Sequence, residues 1–226
     1  MYEYLIWIGI LAIGWLVVYA LFPRVRRKLW WSSWLAMPFG IGEIFFIPEY
    51  WTPQTLFNLG LQYRVDIESF ALMFFLGGLA SGVYEAIVKQ RLRVKGACCA
   101  KHCLCYTPLL FAIAGLAIFA RAFPELNIIY VSSIACLMGV AWAFLIHAQL
   151  RKHLLFGGIA FAAIYLISLA LTDAIAPGWI AATWNMAALS GITALRVPIE
   201  ELLFGLSFGM LWTALYEEVC ENFHVR

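Results

Sequence analysis

Seven stretches of this 226-residue chain each run apolar for about 20 residues, the length an α-helix needs to cross the roughly 30 Å hydrocarbon core of a bilayer. They lie at 3–22, 29–47, 67–88, 106–123, 127–149, 153–173 and 199–219. Hydrophobic residues make up 64% of the chain and charged residues 12%, with a mean hydropathy of +0.87. Soluble domains average about 45–50% apolar and about 25% charged residues. A soluble fold of this size buries only about two-thirds to three-quarters of its surface, too little to hide so much apolar area. The numbers therefore exclude soluble, disordered, collagen-like, solenoid and disulfide-scaffold classes. They predict an all-α integral membrane protein of seven transmembrane helices, with the lipid bilayer as its first partner. The first stretch has no basic leader and no small-residue cleavage site and is longer than a signal-peptide core, so it is expected to be a retained helix.

The net charge is only +2 and gives no case for a nucleic-acid partner, but the placement of the charges is informative. Arg24, Arg26, Arg27 and Lys28 follow the first span. Lys89, Arg91, Arg93, Lys95 and Lys101 follow the third, Arg151 and Lys152 the fifth, and Arg226 ends the chain. With seven spans these 12 fall on one side, and only Arg64, Arg121 and Arg196 on the other. The positive-inside rule then places the N-terminus outside and the C-terminus in the cytoplasm.

The chain also resembles itself at an offset of 132 residues. Residues 64–85 align without gaps to 196–217, with 8 of 22 positions identical. The informative matches are Arg64/Arg196 with Glu68/Glu200, and Tyr84-Glu85 with Tyr216-Glu217, because apolar matches between helices arise by chance. This predicts a parallel 3+1+3 repeat: a first three-helix unit at 1–92, a Cys-rich loop and linking helix at 93–126, and a second unit at 127–226. Sites in such proteins favour the interface between repeats.

Carboxylates at lipid depth cost at least about 2.5–3.5 kcal/mol and usually face the bundle interior. Glu43 and Glu68 are expected to meet near one surface, as are Asp173 and Glu200/Glu201. An inner set, Glu85, Glu217 and Glu218, lies about 25 Å away at helical rise, too far to share a substrate group with the first. Glu200 and Glu201 follow Pro198 and also suit a helix N-terminus, where acidic residues and proline are favoured. Glu43, inside FGIGEIFFI, has no capping role. Arg64 and Arg196 are candidate partners that hold carboxylates charged or orient them. A buried carboxylic acid beside an ionised carboxylate makes an acid–base pair. An aromatic lining suits a carbocation, because ring faces attract cations. Phe45, Phe46, Tyr50, Trp51, Phe70, Phe74, Trp179, Trp184, Phe204 and Phe208 are the aromatic candidates, although interfacial belts and lipid-facing surface also use these residues.

Arg196-Val-Pro-Ile-Glu-Glu-Leu-Leu-Phe204 resembles the Pro-x-Glu-Glu-x-x-Phe motif of the membrane-embedded lycopene cyclase domain, found in heterodimeric bacterial and fused fungal or archaeal carotenoid cyclases. Asp173, Trp184-Asn185 and Gly191 resemble that family's Asp…Trp…Asn…Gly segment. The resemblance implies two homologous three-helix halves, a hydrophobic isoprenoid substrate and a bacterial or archaeal cell membrane. It implies non-redox chemistry with no cofactor assigned, in which an acid protonates the terminal double bond of lycopene, the ring closes and a base removes a proton. Carried over by motif, Glu200 and Glu201 become the acid or base, Asp173 and Asn185 polar companions, and Glu68 the first-half counterpart of Glu200. With Glu43 these carboxylates form the candidate catalytic set. Asn185, Arg64, Arg196, Trp184, Phe70, Phe74, Phe204 and Phe208 form the candidate substrate-binding set. The first half departs from the motif, reading Asp66-Ile-Glu68-Ser69-Phe70 without the proline or the doubled glutamate. A divergent relative binding another isoprenoid or lipid without cyclising it is the alternative, and an oligomer is compatible with either.

Five of the six cysteines cluster as Cys98-Cys99-Ala-Lys-His102-Cys103-Leu-Cys105. Such a cluster can bind zinc or an iron–sulfur cluster, and juxtamembrane cysteines also suit S-acylation. The spacing matches no standard two-pair zinc pattern, so plain reduced cysteines are the leading expectation and no metal site is assigned. Cys136 reads as packing, and His147 as structural. A seven-span parallel repeat also describes small sugar transporters, which need a polar central path. Here the polar residues lie in two end layers with Gly, Ala, Leu and Phe between them. A retinal photoreceptor needs an intramembrane lysine. The lysines are expected to lie in cytoplasmic segments, which excludes that reading.

Overall fold

The computed structural model describes residues 2–57, 59–88, 107–146 and 151–220, apart from the side chains of 61, 62, 214 and 216–220. The cysteine cluster at 98–105 and His147 lie outside the described residues, as do the side chains of Glu217 and Glu218. Of the described residues 80% are helical. The long helices are α1 (Glu3–Leu21), α4 (Ile67–Val88), α5 (Thr107–Ala122), α6 (Ile128–Ile146), α7 (Arg151–Ile175) and α9 (Ile199–Cys220). Shorter ones are α2 (Arg26–Ala36), α3 (Leu59–Tyr63) and α8 (Trp179–Thr183), and a two-residue hairpin pairs Thr193–Ala194 with Val197–Pro198. Among the described residues α1, α4, α6 and α7 are long and apolar enough to cross a membrane, while α5 is apolar but shorter, at 16 residues.

The stretch expected as a helix over 29–47 is not one α-helix. It begins as α2 and tightens into 3-10 geometry over Met37–Phe45. Pro38 supplies no backbone N–H to an α-helical ladder. At Gly40 this segment crosses the first turn of α4 so closely that a Cβ would sit 2.8 Å from the Phe70 backbone. Only glycine permits that approach, and the crossing brings Glu43 into the bundle.

Lipid is as apolar as leucine, so helices in a membrane associate through close packing of small residues and through buried hydrogen bonds rather than hydrophobic exclusion. The bundle follows that rule. Gly77 of α4 packs on Ala36 and Ser32 of α2, and Gly78 on Ser33 and Trp15. Gly157 and Gly158 of α7 receive Thr213 and Met210 of α9, and Gly209 of α9 receives Phe161 of α7. Trp15 Nε1 donates to Ser33 Oγ at 2.9 Å and Trp7 Nε1 to Ser168 Oγ at 2.9 Å, tying α1 to α2 and to α7. Helices α4 and α9 also pack against each other across the centre.

Lys28, expected among the basic residues that follow the first span, is enclosed by the bundle. It lies in α2, is buried, and donates to Glu85 Oε1 at 3.0 Å and to the Thr213 carbonyl at 3.1 Å. Its ammonium therefore joins α2, α4 and α9. A lysine committed to a buried carboxylate in this way is an ion-pair partner and not a free amine for a Schiff base. Nearby, Tyr84 Oη and His153 Nδ1 lie 3.0 Å apart, bridging α4 and α7.

Two loops meet at the opposite end. Thr52 N donates to the Thr183 carbonyl at 2.9 Å, Asn185 N to the Tyr50 carbonyl at 2.9 Å and Asn185 Nδ2 to the Glu49 carbonyl at 3.1 Å. The loops after the 3-10 stretch and around α8 are thereby laced into a cap.

Candidate active site

Beneath that cap lies a cavity of about 100 Å³. Helix α1 contributes Tyr4 and Trp7 to its wall, and the 3-10 stretch contributes Phe39, Gly40, Gly42 and Glu43. Phe46, Tyr50 and Trp51 come from the following loop, and Ser69, Leu72, Met73 and Leu76 from α4. Ile129 of α6, Tyr165 of α7 and Glu201 and Phe204 of α9 complete it. The chamber thus draws on both ends of the chain.

Glu201 is fully enclosed and held by three donors. Tyr165 Oη donates to its Oε2 at 2.6 Å, while Trp184 Nε1 at 2.6 Å and the Tyr50 hydroxyl both donate to Oε1. Between them these three donors satisfy both carboxyl oxygens of Glu201. The donors are fixed in turn: Trp184 Nε1 also contacts Tyr50 Oη at 3.2 Å. Burial, and then the neighbouring Glu201, push the Tyr50 phenol well above its ordinary value, so it remains a donor at any working pH.

Glu43 occupies another part of the wall. Its Oε2 accepts from the Ser69 hydroxyl and from Asp66 N at 3.3 Å, and Tyr4 Oη lies 3.2 Å from Ser69 Oγ. Its Oε1 is buried with no hydrogen-bond partner among the described residues. Glu43 and Glu201 are the carboxylates on the cavity wall.

The remaining expected carboxylates are buried but serve the loops. Glu200 and Glu201 are neighbours on a helix and point about 100° apart. Glu200 Oε1 accordingly accepts from Tyr130 Oη of α6 at 2.5 Å and from Ser190 N at 2.8 Å. Glu68 Oε1 accepts from Leu56 N at 2.7 Å. Asp173 Oδ1 accepts from Ile180 N at 3.3 Å, and its Oδ2 lies 3.7 Å from the exposed Arg196 guanidinium. Arg64 is also exposed. Asn185 ties the two loops and does not line the cavity.

Among the expected aromatics, Phe204 lines the cavity, Phe208 stands behind it at 5.5 Å between ring centres, and Trp184 supports Glu201 from the cap. Phe74 lies elsewhere, in a cluster with Trp15, Trp30, Trp34 and Phe75. Phe70 contributes its backbone at the Gly40 crossing. Sequence reasoning missed Tyr4, Trp7, Ser69, Tyr130 and Tyr165. The available signal was a hydroxyl in an otherwise apolar span: Tyr165 interrupts such a run in α7, and Ser69 directly follows Glu68. Trp7 is the hub of the aromatic wall, with ring centres of Tyr165, Trp179, Trp51 and Trp184 at 5.7, 5.9, 6.2 and 6.4 Å. Among the described residues no group of three or more His, Cys, Asp or Glu side chains is arranged to hold a metal ion.

The family model described as lycopene cyclase matches residues 127–219. Over these residues the chain is similar to the lycopene cyclase family. The matched segment carries Glu200 and Glu201, and with them Tyr130, Tyr165 and Trp184, the side chains that hold these two carboxylates. Ile129 and Phe204 of the wall also lie in the matched cyclase segment, and the rest of the cavity wall, including Glu43, Ser69 and Trp51, comes from outside it. No curated protein and no solved structure matches the chain.

Proposed function

We propose that the protein cyclises the end group of a lycopene-type carotenoid by acid–base chemistry through a carbocation. The observation that carries this reading is the pairing of two differently held carboxyls on one greasy, aromatic wall: Glu201 anchored by three donors, and Glu43 with an unpartnered Oε1. Glu43 delivers a proton from Oε1 to C2 of the terminal double bond. The C1 cation is attacked by the C5=C6 double bond, and the new C1–C6 bond closes the ring. Glu201 then takes a proton from C6 or C4 of the resulting C5 cation, giving a β or an ε ring. Electrons and atoms balance as an isomerisation, so no redox partner is needed. The ring faces of Trp7, Tyr165 and Phe204 surround the cation at a depth where such attraction is worth about 2 kcal/mol or more. Glu68, Glu200 and Asp173 act one step back, holding the loops that cap the chamber.

The cavity is smaller than the roughly 300 Å³ of an ordinary ligand pocket. An end group is therefore admitted only as half-buried wall residues such as Phe39 and Met73 move aside. The rest of the polyene stays outside the chamber.

The same reading gives the chain seven spans in two parallel three-helix repeats, 1–92 and 127–226, joined through 93–126, with the N-terminus outside. Three features at the 132-residue offset support it. Arg64 and Arg196 share a left-handed backbone, with φ of 58° and 67°. Glu68 and Glu200 each accept an amide from the loop before their helix. Gly77 and Gly209 each admit the helix that precedes their own in the repeat, α2 and α7. In this register Ser69 corresponds to Glu201, and Glu43, bound by Ser69, supplies the first half's chamber carboxyl.

Expression in a lycopene-accumulating bacterium, followed by pigment chromatography, tests the function. A cyclised carotenoid that disappears in Glu201→Gln and in Glu43→Gln is expected. Unchanged lycopene beside well-folded protein would reduce the reading to kinship of fold.

A further inference from the structure

The chamber wall contains a mismatch that a hydrocarbon substrate does not resolve. Two of its polar atoms, Glu43 Oε1 and Trp51 Nε1, are buried with no partner among the described residues. Their side chains are more than nine-tenths enclosed, with 6% and 8% of their surface exposed. Buried polar groups are normally satisfied, and leaving one unmade is costly. Three other buried indoles obey this rule: Trp7 donates to Ser168, Trp15 to Ser33 and Trp184 to Glu201. The further unpartnered atoms among the described residues, Asp66 Oδ2, Glu68 Oε2 and Glu200 Oε2, lie off the cavity wall. The other hydroxyl donors of the wall, on Tyr4, Tyr50, Ser69 and Tyr165, also have partners. The two unpaired groups belong to one neighbourhood. Trp51 meets the Tyr4 ring edge-on at 5.2 Å, Tyr4 Oη lies 3.2 Å from Ser69 Oγ, and Ser69 donates to Glu43.

A carboxyl oxygen and an indole N–H in one apolar chamber are both answered by a hydroxyl group, which accepts from the indole and can pair with the carboxyl whether or not the carboxyl holds its proton. We propose that the chamber takes an isoprenoid whose end group carries a hydroxyl, with Trp51 Nε1 donating to that oxygen and Glu43 Oε1 as its second partner. This deepens the end-group reading above and rests on it. A hydroxyl here also gives the site a means of choosing its substrate: a site built to hydrogen-bond a hydroxyl discriminates strongly against the analogue that lacks it, because its own polar groups are then left unpaired. Trp51 becomes a specificity-determining residue, and it stands in the segment Ile47–Phe57, outside the matched cyclase segment. A bound water supplies the same hydroxyl chemistry, and a comparison of two ligands separates the two sources.

The test titrates purified protein in detergent micelles with lycopene and with lycopen-16-ol, whose hydroxyl stands beside an intact terminal double bond, following quenching of tryptophan fluorescence by the polyene. The hydroxylated ligand is expected to bind at least about tenfold more tightly. In Trp51→Phe that ratio falls to within about twofold, with circular dichroism showing that the helices are retained. Equal affinities in the natural protein, as expected when water already fills the subsite, overturn the proposal. So does a preference that survives Trp51→Phe. If Trp51→Phe does not fold, the ratio in the natural protein decides alone. The outcomes also separate this proposal from the cyclase reading. Equal affinities together with cyclised pigment in cells reject only the hydroxyl subsite. A tenfold preference with no cyclised pigment from either ligand rejects the cyclase chemistry and leaves a hydroxyl-binding isoprenoid site.

Discussion

Removing the Tyr165 hydroxyl tests how Glu201 is kept ready to accept a proton. The two oxygens of Glu201 are not equally supported: Oε1 receives both Tyr50 and Trp184, whereas Oε2 receives Tyr165 at 2.6 Å. Tyr165→Phe removes the donor to Oε2 in a fully buried setting. A buried group left unsatisfied costs about 1–3 kcal/mol, more when charged, which corresponds to about 5- to 150-fold. Trp184→Phe removes one of two donors to Oε1, and Tyr50 remains, so the same bookkeeping gives the lower end of that range. The two variants are therefore ordered, with Tyr165→Phe slower than Trp184→Phe. Initial rates of cyclised product from purified protein in lycopene-loaded liposomes, separated by chromatography, give the comparison. Equal rates for Tyr165→Phe and the natural protein, or a larger loss in Trp184→Phe, would refute the assignment of Glu201 as an anchored base.

Other perturbations divide chemistry from scaffold. Glu43→Gln and Glu201→Gln should each lower the cyclisation rate by at least about 100-fold in protein whose helices are retained by circular dichroism, as expected for a general acid and base. Glu68→Gln and Glu200→Gln should lower the unfolding temperature, because each carboxylate holds a loop amide, and should leave part of the rate. Gly158→Leu forces a side chain into Met210 and the Leu206 carbonyl, and should destabilise the bundle by about 1–3 kcal/mol or more, read by thermal unfolding. Lys28→Met removes the ammonium that donates to Glu85 and to the Thr213 carbonyl and should lower the unfolding temperature, whereas Lys28→Met/Glu85→Leu should recover much of the loss.

The helical, membrane-capable class was legible because the run length of apolar residues is a direct consequence of bilayer thickness, and α1, α4, α6 and α7 follow the expected stretches within a few residues. The 29–47 stretch was legible as apolar but not as 3-10 backbone, since its geometry is set by the Gly40 crossing with α4, a long-range contact. Lys28 looked like one more flanking basic residue, and only the neighbouring Glu85 explains its burial. At the candidate site the acidic residues were identifiable by type, because a carboxylate within an apolar run has few uses. Their division was not. Which of two adjacent glutamates faces a cavity depends on helix phase relative to neighbours, here Tyr130 for Glu200 and Tyr165 for Glu201. The wall formed by Tyr4 and Trp7 was hidden for a related reason: in an aromatic-rich first span, nothing local distinguishes rings that face lipid from rings that face the chamber.

The most direct measurement is the isotopic outcome of one turnover in D2O, read by mass spectrometry and NMR on the cyclised pigment. Protonation by an exchangeable carboxyl predicts one deuterium per new ring, placed at C2, together with loss of product in Glu43→Gln. A cyclised pigment with no deuterium at C2, or undiminished labelled product from Glu43→Gln, would contradict the account.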